Sequence, residues 1–151
     1  MPDSLSNRVY NVLAKSPVVD GHNDLLIRLR SRARYDFDVF DIAVDQSDRE
    51  LHTDLPRMRA GGVGGQFWSV FVPVTLRGEA AVTATLEQID AAFEMIGRYD
   101  ALRFAGGADD VAEAVEDGKI ASLLGMEGGH SIGCSLGTLR MMYRLGVRYM
   151  T

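Results

Sequence analysis

One cysteine in 151 residues, Cys134, has no partner for an intrachain disulfide and cannot build a multi-cysteine zinc cluster. Histidine is nearly as scarce, at three residues: His22, His52 and His130. No segment reaches the roughly 18 consecutive apolar residues that a membrane-spanning helix needs. The start, MPDSLSNRVYNVLAKS, has no apolar core behind a basic head, so it does not read as a secretory signal. Basic residues are outnumbered, 16 against 21 acidic, giving a net charge of −5 with no Lys/Arg run. That balance argues against a nucleic-acid surface. These absences predict a cytoplasmic protein with neither a membrane nor a nucleic-acid partner.

What is present suits one soluble domain. The chain is 46% hydrophobic and 25% charged, ordinary values for a globular protein, and 151 residues can enclose a core. Residues 4 to 15 read as a short helix, and Pro17 precedes an apolar strand at Val18 and Val19. Residues 30 to 54 are polar and irregular, and DFDVFD (36 to 41) within them reads as a solvated loop or a lid. TDLPRMRAGG reads as a helix capped by Thr53 or Asp54 and ended by Gly61. VGGQFWSVFVP (63 to 73) is a buried strand, with Trp68 assigned to the core.

Residues 84 to 99 form the clearest helix, with Leu86, Ile89, Phe93 and Ile96 on one apolar stripe. A shorter helix over 109 to 116 leads to the strand KIASLLGMEGG (119 to 129). A helix over 136 to 144, opened by Ser135, leads to a last strand at VRYMT. Strands alternating with helices predict an α/β fold with a parallel sheet. Four such strands with an apolar last edge look unfinished. They predict the N-terminal half of a (β/α)8 TIM barrel, cut after its fourth strand, within a single domain 1–151.

In parallel α/β folds, sites gather at the carboxyl ends of the strands. The first strand ends in VVDGHND, where alternation would put Asp20, His22 and Asp24 on one face. The second ends in Ser69, Phe71 and Pro73, which offer nothing reactive. The third ends in Glu127, ahead of Gly128, Gly129 and His130. Imidazole nitrogen and carboxylate oxygen suit zinc and similar divalent ions. His22 and Asp24 can hold one metal together, and Glu127, with two oxygens, can bridge two. Any one of these features alone is common by chance: H-x-D recurs freely, and a Glu at a strand end is usually a solvated loop residue.

Other features carry less. GGVGG (61 to 65) precedes its strand and lacks the lysine and hydroxyl of a phosphate loop, so it reads as tight turning. DFDVFD has no glycine or closing glutamate of a calcium loop. His52 reads as a surface residue and Cys134 as a buried or bystander thiol.

Three blocks, VVDGHNDL, TDLPRMRAGGVGGQFWSVFVP and LLGMEGGHSIG, resemble in order and spacing the renal (membrane) dipeptidase family, the M19 zinc peptidases. The resemblance runs from about residue 17 to the end. It implies a (β/α)8 barrel with a binuclear zinc site that cleaves dipeptides, tolerating a D-residue at the C-terminal position. By motif, His22 and Asp24 match the first-strand metal ligands. Glu127 matches the carboxylate that bridges both metals and is the catalytic residue of this reading. Asp20 is expected to orient His22 or a nearby amide instead of ligating. The family's two further histidine ligands, its substrate-contacting histidine, and an arginine and an aspartate for the substrate have no counterpart in this sequence.

Three readings follow. The first is the N-terminal part of a zinc dipeptidase with two Zn2+ per intact barrel and a small dipeptide as substrate. The second keeps the metals but takes another small amide, such as an N-acyl amino acid. The third is an inactive half-barrel fragment. The free strand edge also predicts self-association into a homo-oligomer.

Overall fold

The computed structural model describes residues 5–49 and 51–151. The elements run α1 (Leu5–Lys15), β1 (Val18–Asn23), α2 (Leu25–Ala33), α3 (Leu55–Ala60), β2 (Val63–Phe71), α4 (Glu79–Arg98), β3 (Leu102–Phe104), α5 (Ala108–Glu116), β4 (Ile120–Glu127), α6 (Leu136–Arg144) and β5 (Val147–Met150). Every strand pairing is parallel. Residue 4, the expected start of the first helix, lies outside the described residues.

The sheet has five strands where the sequence pattern gave four. The extra one, β3, is three residues long, too short to show a period. β4 is central. One edge pairs with β2, from Gly65 opposite Ala121 to Phe71 opposite Glu127. β3 and β5 share the other edge: Leu102–Phe104 face Ile120–Ser122, and β5 faces Leu124–Met126. β1 pairs with the far side of β2.

The two faces of the sheet differ. On one, Trp68, Val70, Leu124 and Met126 pack against Leu25, Leu26 and Leu29 of α2 and Ile89, Met95 and Ile96 of α4. On the other, Phe67, Ala121 and Leu123 meet Val111 and Ala114 of α5. That second face continues, by strand alternation, through Ser69, Gly125 and Glu127 toward the carboxyl ends.

Four expectations need correction. α2 is a helix that the sequence pattern does not predict, because its arginines at 28, 30 and 32 break the apolar pattern of LLIRLRSRA. α4 begins at Glu79, and its buried face is built largely of Ala81, Ala84, Ala91, Ala92 and Met95. Ile89 and Ile96 are on that face, but Leu86 and Phe93 are exposed; small residues let the helix approach the sheet closely. DFDVFD is neither a lid nor a fully solvated loop: its Phe37 and Phe40, with Ile42 just beyond, are buried in the main core. Burying each such side chain stabilises by about 1.5–3 kcal/mol, which pins the loop. Asp38 pairs with Arg98 of α4, and Phe37 meets Tyr99 edge-on. Cys134 is exposed, not buried.

The capping signals resolve cleanly. Asp54 caps α3, accepting the Arg57 N–H at 2.9 Å, with Pro56 in the first turn. Ser135 caps α6, accepting the Thr138 N–H at 3.2 Å.

Candidate metal centre

His22 stands near the end of β1, and Asp24 is the residue at which the chain turns into α2. Asp24 makes no capping bond with its side chain, so its carboxylate is not spent on the helix terminus. Asn23 does that work instead, its Oδ1 accepting the Leu25 N–H at 3.0 Å. The Asn23 amide also donates to Thr53 Oγ1 at 3.0 Å and Gln66 Oε1 at 3.3 Å, fixing the strand end to the loop before α3 and to β2. Asn23 and His22 therefore serve opposite sides of the strand.

Glu127 closes β4, two strands away across β2. His22 Nε2 lies 3.3 Å from Asp24 Oδ1 and 3.3 Å from Glu127 Oε2. One ligand atom from each of the three residues falls within 4.8 Å of the others. The side chains are 44%, 55% and 37% exposed, so the group is open to solvent.

The separations discriminate between two explanations. A charge-assisted N–H···O bond closes to about 2.7–2.9 Å, and Nε2 has at most one proton for two acceptors. Donor atoms each about 2.1 Å from one tetrahedral cation stand about 3.4 Å apart. The two His22 spacings match the second, and the donor set of one imidazole and two carboxylates suits zinc or a similar divalent ion. Among the described residues, this is the one group of three that meets such a criterion.

The surroundings fix these donors. Ser69 Oγ donates to Glu127 Oε2 at 3.1 Å. Asp20 Oδ1 accepts the His22 N–H at 3.2 Å and is not in the cluster. The register of β1 on β2 is irregular between Asp20 and Asn23, so simple alternation does not govern this stretch. The Tyr149 hydroxyl donates to the Gly21 carbonyl at 2.7 Å. Burial pushes the Tyr149 phenol above its ordinary value, and the Glu127, Asp20 and Asp24 carboxylates push it the same way.

The other two histidines stand apart. His130 Nε2 is 3.0 Å from the Val72 carbonyl oxygen. His52 is exposed, as expected, and lines a cleft of about 590 Å³ that also takes in His22, Asp24, Arg28 and Thr53. Ser69 and Tyr149 are not among the site residues that the sequence predicts. Each had a signal: a hydroxyl inside the apolar run FWSVF, and a glycine inside the buried strand LLGME, which marks close approach of another group.

The model of the membrane dipeptidase family, peptidase family M19, matches residues 6–151. A dipeptidase described as a metallopeptidase of family M19 superposes with a TM-score of 0.75 at 30% identity, over 89% of this chain and 41% of that one. A metallopeptidase from Rhodobacter sphaeroides, solved with a phosphinate mimic of the dipeptide L-Ala-D-Ala, gives 0.75 at 26% identity, over 89% of this chain and 44% of that one. An amidohydrolase from Pseudomonas aeruginosa shares the fold, with a TM-score of 0.64 at 21% identity. The chain thus spans less than half the length of these proteins, and its sheet corresponds to the N-terminal part of the dipeptidase barrel.

Proposed function

The chain belongs to the membrane dipeptidase family, peptidase family M19, and from that premise we propose that it contributes His22, Asp24 and Glu127 to a zinc centre that hydrolyses dipeptides. The observation that carries the proposal is the 3.3 Å spacing of His22 Nε2 from two carboxylates, at the carboxyl ends of parallel strands. The structure of the Rhodobacter relative with a dipeptide mimic supports the substrate class.

In this reading His22 and Asp24 hold one cation. Glu127 is the catalytic carboxylate: its Oε2 accepts from Ser69 and stands 3.3 Å from His22 Nε2, so Glu127 would join His22 and Asp24 in holding metal. Bound zinc supplies Lewis acidity toward an amide carbonyl and lowers the pKa of water toward neutrality. Ser69 holds the Glu127 carboxylate, and Asn23 holds the start of α2 and with it Asp24. The 590 Å³ cleft beside the cluster is of a size that takes a small ligand. The cluster contains one histidine, so a second zinc needs donors from outside these three residues.

The test is metal analysis and dipeptide hydrolysis with the protein in its full natural length. His22→Ala and Asp24→Ala should each lose one equivalent of zinc, and Glu127→Gln should impair both, since a neutral amide bridges two cations poorly. L-Ala-D-Ala should be cleaved by the parent and spared by all three variants. Unchanged zinc content across the variants would refute the metal assignment. Turnover of N-acyl amino acids in preference to dipeptides would move the substrate to the wider class of small amides.

A further inference from the structure

Tyr149 sits on β5 and Gly21 on β1, yet the phenol hydroxyl of one donates to the carbonyl of the other at 2.7 Å. To make that bond the side chain must cross β4 and β2, which separate the two strands. Its path is cut into the sheet. A Cβ at Gly125 would stand 2.1 Å from Tyr149 Cζ and 2.4 Å from the hydroxyl, so only a residue without a side chain permits the crossing. Phe67 of β2 supports the ring further on, with ring centroids 5.2 Å apart.

The receiving group gives the contact its meaning. The Gly21 carbonyl and the His22 N–H belong to one planar peptide unit. Asp20 Oδ1 accepts the N–H end at 3.2 Å, and Tyr149 donates to the carbonyl end. The unit is therefore fixed at both ends by side chains. It lies where the register between β1 and β2 is irregular, so the strand ladder is least able to hold it. Rotation of this unit would swing the Cα–Cβ bond of His22 and carry Nε2 away from Asp24 and Glu127.

We infer that Tyr149 is a positioning residue for the metal centre: with Asp20 it clamps the Gly21–His22 peptide and so sets the direction in which His22 presents Nε2. The inference rests on the metal reading proposed above for what His22 does, and on the hydrogen bonds alone for how His22 is held. Gly125 belongs to the same device, as the notch through which the phenol passes.

The test compares Tyr149→Phe, which deletes only the hydroxyl, with the parent protein in its full natural length. Two quantities are read: hydrogen exchange of the His22 amide in the metal-free protein, and Co2+ affinity by competition with a chromogenic chelator. The variant should lose protection at His22 several-fold and bind Co2+ roughly five- to tenfold more weakly, the scale of one hydrogen bond. Its melting temperature should stay within a few degrees of the parent's. An unchanged His22 exchange rate overturns the inference whatever the Co2+ result. Lost protection with unchanged Co2+ affinity overturns the link from the clamp to the metal. A parent protein that takes up no Co2+ refutes the metal reading separately, and the exchange comparison then still decides whether Tyr149 holds the peptide.

Discussion

Ser69 Oγ and Glu127 Oε2 meet at 3.1 Å, joining β2 to the carboxylate that closes β4. The register explains how. Ser69 lies opposite Gly125, and Glu127 is two residues further along the same face, so the hydroxyl reaches Glu127 on the diagonal. Ser69 is fully buried, whereas Glu127 is partly open. One end of the bond is locked in the core and the other is open to solvent.

Ser69→Ala should therefore free the Glu127 carboxylate without disturbing the core. The expected outcome is metal affinity about three- to tenfold weaker and a stability loss of about 1 kcal/mol, since a hydrogen bond is worth roughly that much. Chelator competition and urea unfolding measure the two. An unaltered affinity would mean that Glu127 is held by its backbone alone.

The Asp54 carboxyl group is fully buried. It accepts from the Arg57 and Gln46 N–H groups, each at 2.9 Å, and pairs with Arg57 Nε at 2.6 Å. Asp54→Ala removes the cap of α3 and strands the Gln46 donor. A loss of about 2–3 kcal/mol is expected, combining a cap of about 1 kcal/mol with an unsatisfied buried group. Denaturant unfolding checks it, and a loss below about 0.5 kcal/mol would count against this network.

Gly125→Ala sets a methyl group 2.1 Å from the Tyr149 ring. The aromatic side chain or the β4–β5 pairing must shift, and overpacking of this kind costs about 1–3 kcal/mol. The variant should unfold at lower urea concentration and lose near-ultraviolet tyrosine circular dichroism. A variant as stable as the parent would show that the ring has room to move.

The alkaline limb of stability follows from three raised phenols, Tyr149 described above and two more. Burial, the largest cause for each, raises both Tyr35 and Tyr99 above the ordinary value, and neighbouring Asp41 adds to the effect on Tyr99. In the unfolded chain these phenols ionise near pH 10. A folded value raised above the unfolded one gives stability that is complete below pH 10 and lost as pH climbs through the folded values. Urea midpoints should thus hold steady on the approach to pH 10 and fall beyond it, and the folded protein's phenolate absorbance should lag that of the unfolded chain. Midpoints that rise beyond pH 10 would contradict the assignment.

Much of this was legible in the residues. The strands around Trp68 and Leu124 are long apolar runs, and the caps Asp54 and Ser135 stand at helix starts with their partners three residues on. VVDGHND and GMEGG end such strands, so their polar groups had to emerge at one end of the sheet. What the sequence could not supply is distance between segments far apart in the chain. The 3.3 Å contact of His22 with Glu127 depends on β2 lying between β1 and β4 and on a register that no local pattern encodes. Nor does local pattern say that Ser69, unreactive by itself, lies against Glu127, or that Gly125 is empty so that Tyr149 can reach Gly21. Periodicity follows from the geometry of a single chain segment and is written residue by residue. The pairing of strands is decided by the whole core, which forms only when the segments meet.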